Sequence, residues 1–176
     1  MLHWSRPARE IWPNAQFFLF EAMEDVGPYY HEHGFHDFFL GVLSDLPGKH
    51  VLFYADPMNF GGNSYYPETT GFFEGKQVQR VTNSIDNIRK LYGIPSPDLV
   101  KMDVQGAELD VLRGAVETFA DTKDFILELQ HVHYNEGAPL ADVVIGYMDS
   151  MGYDLIANFT RTHVDGDYHF SKRRNV

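Results

Sequence analysis

The sequence contains no cysteine, which excludes a disulfide framework, a thiolate metal site and a cysteine nucleophile. It is also poor in basic residues: 14 lysines and arginines stand against 25 aspartates and glutamates, for a formal net charge of −11. Because nucleic acids and anionic membrane surfaces are bound mainly through lysine and arginine, we expect neither as a partner.

Long apolar runs are missing as well, and none approaches the roughly 20 residues that a membrane-spanning helix needs. Residues 1–11 are charged and interrupted by Pro7, unlike a signal peptide, so we expect a cytoplasmic location. The chain has 176 residues, of which 44% are hydrophobic. That is enough for a proper core, and we predict a single domain over residues 1–176.

Short apolar strands and amphipathic helices alternate along the chain. Buried strands are predicted at residues 17–21, 37–43, 51–54, 99–103 and 125–129. A Pro47-Gly48 turn between the second and third strands favours a hairpin. Helices are predicted at residues 84–92, after the strand at 99–103, and at 140–151.

The last two helices carry apolar stripes at helical spacing, Leu109, Leu112, Val116 and Phe119 in one and Leu140, Val144, Tyr147 and Met151 in the other. Residues 153–157 and 168–171 end the pattern as two antiparallel strands. This order predicts an α/β fold, a doubly wound and mostly parallel sheet with a terminal antiparallel hairpin.

Asp103 is the strongest candidate for a functional side chain. It ends the apolar strand at residues 99–103, and a turn that contains Gly106 separates it from the next helix. Open α/β folds bind ligands at the carboxyl ends of their strands, beside the start of the following helix. Glu108 and Asp110, in the first turn of that helix, are interpreted as acids that stabilise the helix dipole.

Other polar residues also follow predicted strands. Glu21 ends the first strand, where a carboxylate can accept hydrogen bonds from a ribose. Glu128 lies close in sequence to His131 and His133, a combination that suits either a general base with metal-ligand potential or an ordinary polar strand end. His31, His33 and His36 match no specific metal-binding spacing, so we interpret them as part of a solvated loop.

Residues 56–75 are rich in Gly, Asn, Pro and Tyr and predict a lid or a binding loop. Within it, Asn63, Ser64 and Tyr65 offer an amide, two hydroxyls and an aromatic face. Such groups suit the recognition of a polar, hydroxyl-rich substrate, although tyrosines in loops also serve as packing anchors.

The segment LVKMDVQGAELDVLRGA at residues 99–115, together with FFLFEA, VLSDLPG, FILELQ and the closing DYHFSKR, resembles the FkbM-type family of S-adenosylmethionine-dependent methyltransferases. The resemblance covers about residues 8–173. Its most specific part is the strand-Asp-x-x-Gly-Ala-Glu motif at residues 101–112. The resemblance implies a class I methyltransferase-like fold.

The resemblance also implies roles for individual residues. Glu21 is expected to bind the ribose of S-adenosylmethionine, Ser44 and Asp45 to border its adenine, and Asp103 to line both cofactor and acceptor. The expected reaction is O-methylation at a hydroxyl of a sugar, a glycan or a small natural product.

O-methylation needs a group that accepts the hydroxyl proton, since the cofactor brings the methyl chemistry. Asp103, His131 and His133 are the candidates for that base. A divalent metal held by carboxylate oxygens is the less favoured alternative, and no metal site is predicted.

Two features depart from the family pattern. Members begin with a strand and a glycine-rich loop of the form Asp-x-Gly-Ala-x-x-Gly, which nothing before residue 17 matches, and Gln105 stands where relatives commonly carry Glu. The sequence therefore predicts an N-terminally shortened member. Its strands at 17–21 and 99–103 then pair directly, or a second chain fills the gap in a homodimer, or the cofactor is bound poorly.

Two other functions are compatible with these features. One is a non-catalytic, methyltransferase-like binding or interaction protein that has lost cofactor binding. The other is a nucleotide- or sugar-binding enzyme of another α/β type, which would share the placement of Glu21 and Asp103 but not the specific motif.

Overall fold

The computed structural model describes residues 2–56, 60–72, 76–160 and 162–174. The chain divides into two compact units, Met1–Val42 and Leu43–Val176, called here the first and the second unit. The expected single domain over residues 1–176 stays a prediction. None of the described helices is long and apolar enough to cross a membrane.

The first unit contains α1 (Ser5–Ile11), β1 (Leu19–Glu21), a 3-10 turn (Glu24–Val26), α2 (Gly27–Glu32) and β2 (Phe38–Leu40). β1 pairs in parallel with β2, with Glu21 opposite Leu40. Aromatic rings form its core: Phe35 is buried, and the Arg9 guanidinium carbon lies 3.4 Å from the centre of the Phe35 ring. The strand predicted at residues 17–21 is thus confirmed in its second half.

The second unit begins with β3 (Val42–Leu43, which straddles the boundary), β4 (His50–Tyr54), a 3-10 turn (Phe60–Gly62) and β5 (Gln77–Asn83). The order in this sheet is β3-β5-β4, so the predicted hairpin between the second and third strands is wrong. Thr82 of β5 is the reason. It accepts hydrogen bonds from Gly48 N and, through Oγ1, from Lys49 N, and thereby takes the place beside the turn.

The rest of the second unit contains α3 (Ile85–Tyr92), β6 (Leu99–Met102), α4 (Glu108–Arg113), β7 (Asp124–Gln130), α5 (Ala141–Ser150), β8 (Tyr153–Asn158) and β9 (Asp165–Lys172). The sheet order is β6-β7-β9-β8. β6 and β7 are parallel, whereas β9 is antiparallel to both of its neighbours. The predicted terminal antiparallel hairpin is therefore present.

The fold is mixed α/β, as predicted, but its described strands lie in three sheets and not in one doubly wound sheet. β1 and β6, the strands expected to flank a gap, belong to different sheets. Direct pairing of these two strands, which belong to different units, stays a prediction.

Helices α4 and α5 and the segment after α4 contribute to the core of the second unit. Leu109, Leu112 and Phe119 are buried as predicted, but α4 ends at Arg113 and Val116 is 44% exposed. In α5 the predicted stripe is partly wrong, because Met148 is buried and Met151 is 39% exposed. The two exposed residues, Val116 and Met151, lie beyond the last residue of their helices, where the helical periodicity no longer applies.

Candidate functional site

A left-handed turn, called the motif turn below, joins β6 to α4 through residues 103–107. Gln105 and Gly106 have φ values of +51° and +93°. Few residues other than glycine adopt this left-handed region, because a side chain makes it sterically unfavourable. A Cβ atom on Gly106 would lie 2.6 Å from the Cβ of Ala138. The motif glycine is thus required both by its backbone conformation and by the closeness of the loop that precedes α5.

Two carboxylates meet at the carboxyl ends of β6 and β7. Met102 and Leu127 are register partners in these parallel strands, so the next residues, Asp103 and Glu128, end up side by side. The Gln105 amide joins them: its Nε2 donates to Asp103 Oδ1 at 2.9 Å and to Glu128 Oε1 at 3.3 Å. Asp103 and Glu128 are called the carboxylate pair below.

Burial, followed by the negative charge of the nearby Asp103, raises the pKa of Glu128 to about 7. Lys101 acts against this rise. The Lys101 ammonium is itself held by Asp167 Oδ1 of β9, at 2.7 Å. A carboxyl with a pKa near neutral pH at the end of a strand is the kind of group that can exchange a proton during catalysis.

Glu108 lies inside the second unit and not on the surface of α4. Its side chain is buried, with 3% of its surface exposed, and it accepts a hydrogen bond from Val104 N at 3.0 Å. Burial raises the pKa of Glu108 to about 7. Glu108 thus stabilises the motif turn by accepting a hydrogen bond from its backbone, in addition to the predicted interaction with the helix dipole.

Residues 63–66, called here the tyrosine-rich segment, are hydrogen-bonded to the motif turn and to α4. Ser64 is buried, and its Oγ donates to the Gln105 carbonyl at 2.8 Å. The hydroxyls of Tyr65 and Tyr66 both donate to Asp110 Oδ2, at 2.9 and 2.8 Å. Burial, followed by the charge of Asp110 for Tyr65 and by its hydrogen bond for Tyr66, raises the pKa of both phenols, which therefore remain donors.

Asn63 starts the same segment. Its Oδ1 accepts from Asp56 N at 2.9 Å, and its Nδ2 is buried without a hydrogen-bond partner among the described residues. Other parts of the predicted loop, residues 57–59 and 73–75, lie outside the described residues.

Asn135 lies in the loop after β7 and connects this loop to the tyrosine-rich segment. It is 1% exposed, its Nδ2 donates to the Tyr66 carbonyl at 2.8 Å, and its amide oxygen accepts from Gln130. Hydrogen bonds therefore connect the loop after β4 to the loops after β6 and β7. Nothing in the sequence pattern indicates this role of Asn135, because its partner Tyr66 is 69 residues away in sequence.

The two histidines predicted as possible bases have different surroundings. His131 is half-buried, and its Nε2 lies 2.7 Å from the hydroxyl of Tyr168. His133 is exposed. Within the described ranges no hydrogen bond joins either histidine to the carboxylate pair, and their catalytic role stays a prediction.

The expected adenine-binding residues lie on a tightly packed turn. Ser44 is buried, and its Oγ donates to Asp45 Oδ1 at 3.0 Å. A hydrogen bond from Lys49, 2.6 Å from Asp45 Oδ1, is the main cause that lowers the pKa of Asp45. Glu21, in the first unit, ends β1 and accepts from Met23 N at 3.1 Å.

The histidines of the first unit are close to one another: His31 Nδ1 lies 3.0 Å from His36 Nδ1, while His33 Nδ1 lies 2.9 Å from the Tyr29 carbonyl. Across the described part of the chain, no three histidine, aspartate or glutamate side chains converge in a way that could hold a metal ion.

Comparison with known proteins assigns the chain to a family. The family described as the methyltransferase FkbM domain matches residues 29–155. The chain belongs to the FkbM methyltransferase family. A relative within the curated proteins is the 2-O-methyltransferase NoeI of Sinorhizobium fredii (strain NBRC 101917 / NGR234), which is 35% identical over 86 residues.

The match to NoeI covers 49% of this FkbM-family chain and 34% of NoeI, so it spans about a third of the relative's length. No solved structure matches the chain. The family match includes the carboxylate pair, Gln105 and the interlocked loops, whereas Glu21 precedes it.

Proposed function

We propose that this chain is an S-adenosylmethionine-dependent O-methyltransferase that acts on a hydroxyl of a sugar, a glycan or a small natural product. Family membership supports methyl transfer as the reaction. The observation that carries the proposal is the carboxylate pair, which the Gln105 amide holds at the carboxyl ends of two parallel strands.

The negative charges of the carboxylate pair match the positive charge of this cofactor. S-adenosylmethionine carries a sulfonium cation and a ribose diol, and it supplies an electrophilic methyl group when bound. The exposed carboxylate of Asp103 and the half-buried Glu128 suit the positive end of such a molecule. In the proposal Glu21 accepts hydrogen bonds from the ribose, and Ser44 and Asp45 border the adenine.

The acceptor oxygen must lose its proton as it is methylated. Asp103, His131 and His133 are the proposed proton acceptors, and Asp103 is the one that belongs to the carboxylate pair. Asn63, Ser64 and Tyr65 are proposed to shape the acceptor side, where the loop is bound to the motif turn through Ser64 and to α4 through Tyr65. Positioned groups of this kind align the acceptor and exclude water.

The acceptor class is supported by two observations. NoeI is named a 2-O-methyltransferase, so a relative methylates an oxygen. The net charge of −11 disfavours acidic acceptors, which leaves neutral, hydroxyl-rich molecules as the better candidates.

Transfer of labelled methyl groups tests this proposal. We would incubate the chain with S-adenosylmethionine labelled in its methyl group and a panel of mono- and oligosaccharides and small phenols. Asp103→Asn should lower transfer at least about 100-fold, because a general base contributes about 10²- to 10⁴-fold to a rate. Asp98→Asn, at the exposed opposite end of β6, is the matched control and should leave transfer unchanged.

Circular dichroism would show that both variants keep the fold. Full activity of Asp103→Asn would contradict the assignment of the site. Absence of both cofactor binding and methyl transfer would instead favour a non-catalytic, methyltransferase-like binding or interaction protein that has lost cofactor binding.

A further inference from the structure

Gln105 is the residue that physically connects the carboxylate pair. We propose that Asp103 and Glu128 accept the acceptor's hydroxyl proton as one unit, and that Gln105 is the positioning residue that holds this unit together. The inference rests on the proposed function, since it specifies how the same site handles the proton.

The Gln105 side chain donates hydrogen bonds to both carboxylates. A single amide nitrogen has two N–H groups, and here each points at a different carboxylate, at 2.9 and 3.3 Å. Donors shared in this way reduce the repulsion between two negative groups. A leucine would provide no donor at this place, and a glutamate would add a third negative charge.

The backbone of Gln105 adopts a left-handed conformation. Its φ of +51° is unfavourable for a residue with a side chain, and a glycine would adopt the same conformation freely. The Ser64 hydroxyl holds the Gln105 carbonyl at 2.8 Å and so maintains this conformation. The left-handed turn aims the side chain back at the ends of β6 and β7, which is where both of its acceptors lie.

Each carboxylate of the pair also has a second oxygen that can accept a proton. Among the described residues no hydrogen bond reaches Asp103 Oδ2 or Glu128 Oε2. The charged groups that act on Glu128 come from three directions: Asp103 on the motif turn, Lys101 on β6, and Asp165 and Asp167 on β9. With a pKa of about 7 for Glu128, the pair gains and loses its proton near neutral pH.

The proton balance is simple. As the acceptor oxygen forms its bond to the methyl carbon, its proton passes to a free oxygen of the carboxylate pair. The carbon–sulfur bond of S-adenosylmethionine breaks, and its electron pair remains on sulfur, which becomes a neutral thioether.

Carboxyl NMR tests the pair without any cofactor or acceptor. In protein carrying ¹³C-labelled Asp and Glu side chains, the pH midpoint of Glu128 should rise in Gln105→Leu and in Gln105→Asn. Asparagine tolerates the left-handed backbone but is one methylene too short to reach both carboxylates. The matched control is Gln79→Leu, at an exposed glutamine of β5, which should leave the midpoint unchanged.

A rise in both variants supports the inference. An unchanged midpoint in either of them overturns it, because the amide bridge would then have no effect on the pair. Gln105→Asn also guards against misfolding as the explanation, since it keeps the backbone preference of this position.

Methyl transfer gives the second measurement. Both Gln105 variants should lower kcat about tenfold at pH 7, which corresponds to one lost charge-assisted hydrogen bond, with KM for S-adenosylmethionine unchanged. The acidic limb of the pH profile should move to higher pH. If the unaltered chain transfers no methyl group, the proposed function fails while the NMR result stands. If it does transfer and the variants match it at every pH, this inference fails alone.

Discussion

Glu108 lies entirely inside the second unit, at the start of α4, where it accepts a hydrogen bond from Val104 N. A carboxylate in such a place loses its hydration, so burial raises its pKa from 4.5 to about 7. The folded protein therefore holds this proton more tightly than the unfolded chain does. The stability gained in this way is complete below pH 4.5 and is lost as the pH rises through 7.

Glu108→Gln should remove this pH dependence. The amide oxygen can still accept from Val104 N, but it does not titrate, so the variant should lose about 3 kcal/mol less of its free energy of unfolding between pH 4.5 and pH 8. Urea unfolding across this range measures the difference. Glu117→Gln, at an exposed glutamate, serves as control and should keep the original slope. An identical slope in Glu108→Gln would show that Glu108 is not the titrating group.

At the residue scale the sequence predicted that Asp103 lies at the carboxyl end of a strand, but not its connections to neighbouring residues. Asp103 stands out in sequence because it ends an apolar strand and precedes a glycine turn. The bridge from Gln105 and the inward orientation of Glu108 depend on a left-handed backbone and on burial. Neither property is visible in the spacing of residues.

At the scale of secondary-structure elements, the end of α4 is set by one close approach. A Cβ on Gly114 would lie 2.2 Å from the carbonyl oxygen of Ser44, whereas Gly146 in α5 has nothing within 4 Å of such an atom. Gly114 therefore permits a close approach of two backbone segments, whereas Gly146 only lowers the helix propensity of α5.

Replacing each of these glycines with alanine should have opposite effects. Gly114→Ala should destabilise the protein by about 2–4 kcal/mol, because backbone must move away from backbone. Gly146→Ala should stabilise it by about 0.5–1 kcal/mol, because it is exposed in a helix interior. Thermal and urea unfolding measure both, and equal effects of the two substitutions would contradict the packing described at Gly114.

Elements with strong local signals were predicted well. Helix α3 begins after Ser84, whose Oγ accepts from Asn87 N, and ends at Gly93 with a φ of +68°, as its sequence indicates. β5 was missed because QVQRVTN is polar and mostly exposed. The same omission caused the wrong hairpin, since β5 is the strand that lies between β3 and β4.

At the scale of the whole molecule, family membership rests on residues 29–155 and joins both units under one assignment. The α/β class followed from the alternation of strands and helices. The arrangement of strands in three sheets did not, because the pairing of strands depends on contacts between distant parts of the chain. The homodimer and the cytoplasmic location stay predictions.

Binding of S-adenosylhomocysteine, the demethylated cofactor, is the most direct test of the central claim. Isothermal titration calorimetry of the 176-residue chain should show one site with a micromolar Kd, on the order of 1–100 µM. Glu21→Gln should weaken binding about tenfold through the ribose, whereas Glu10→Gln, at an exposed glutamate of α1, should not change it. Absence of binding heat at about 1 mM ligand, at two temperatures, would contradict the assignment of this chain as a working S-adenosylmethionine-dependent methyltransferase.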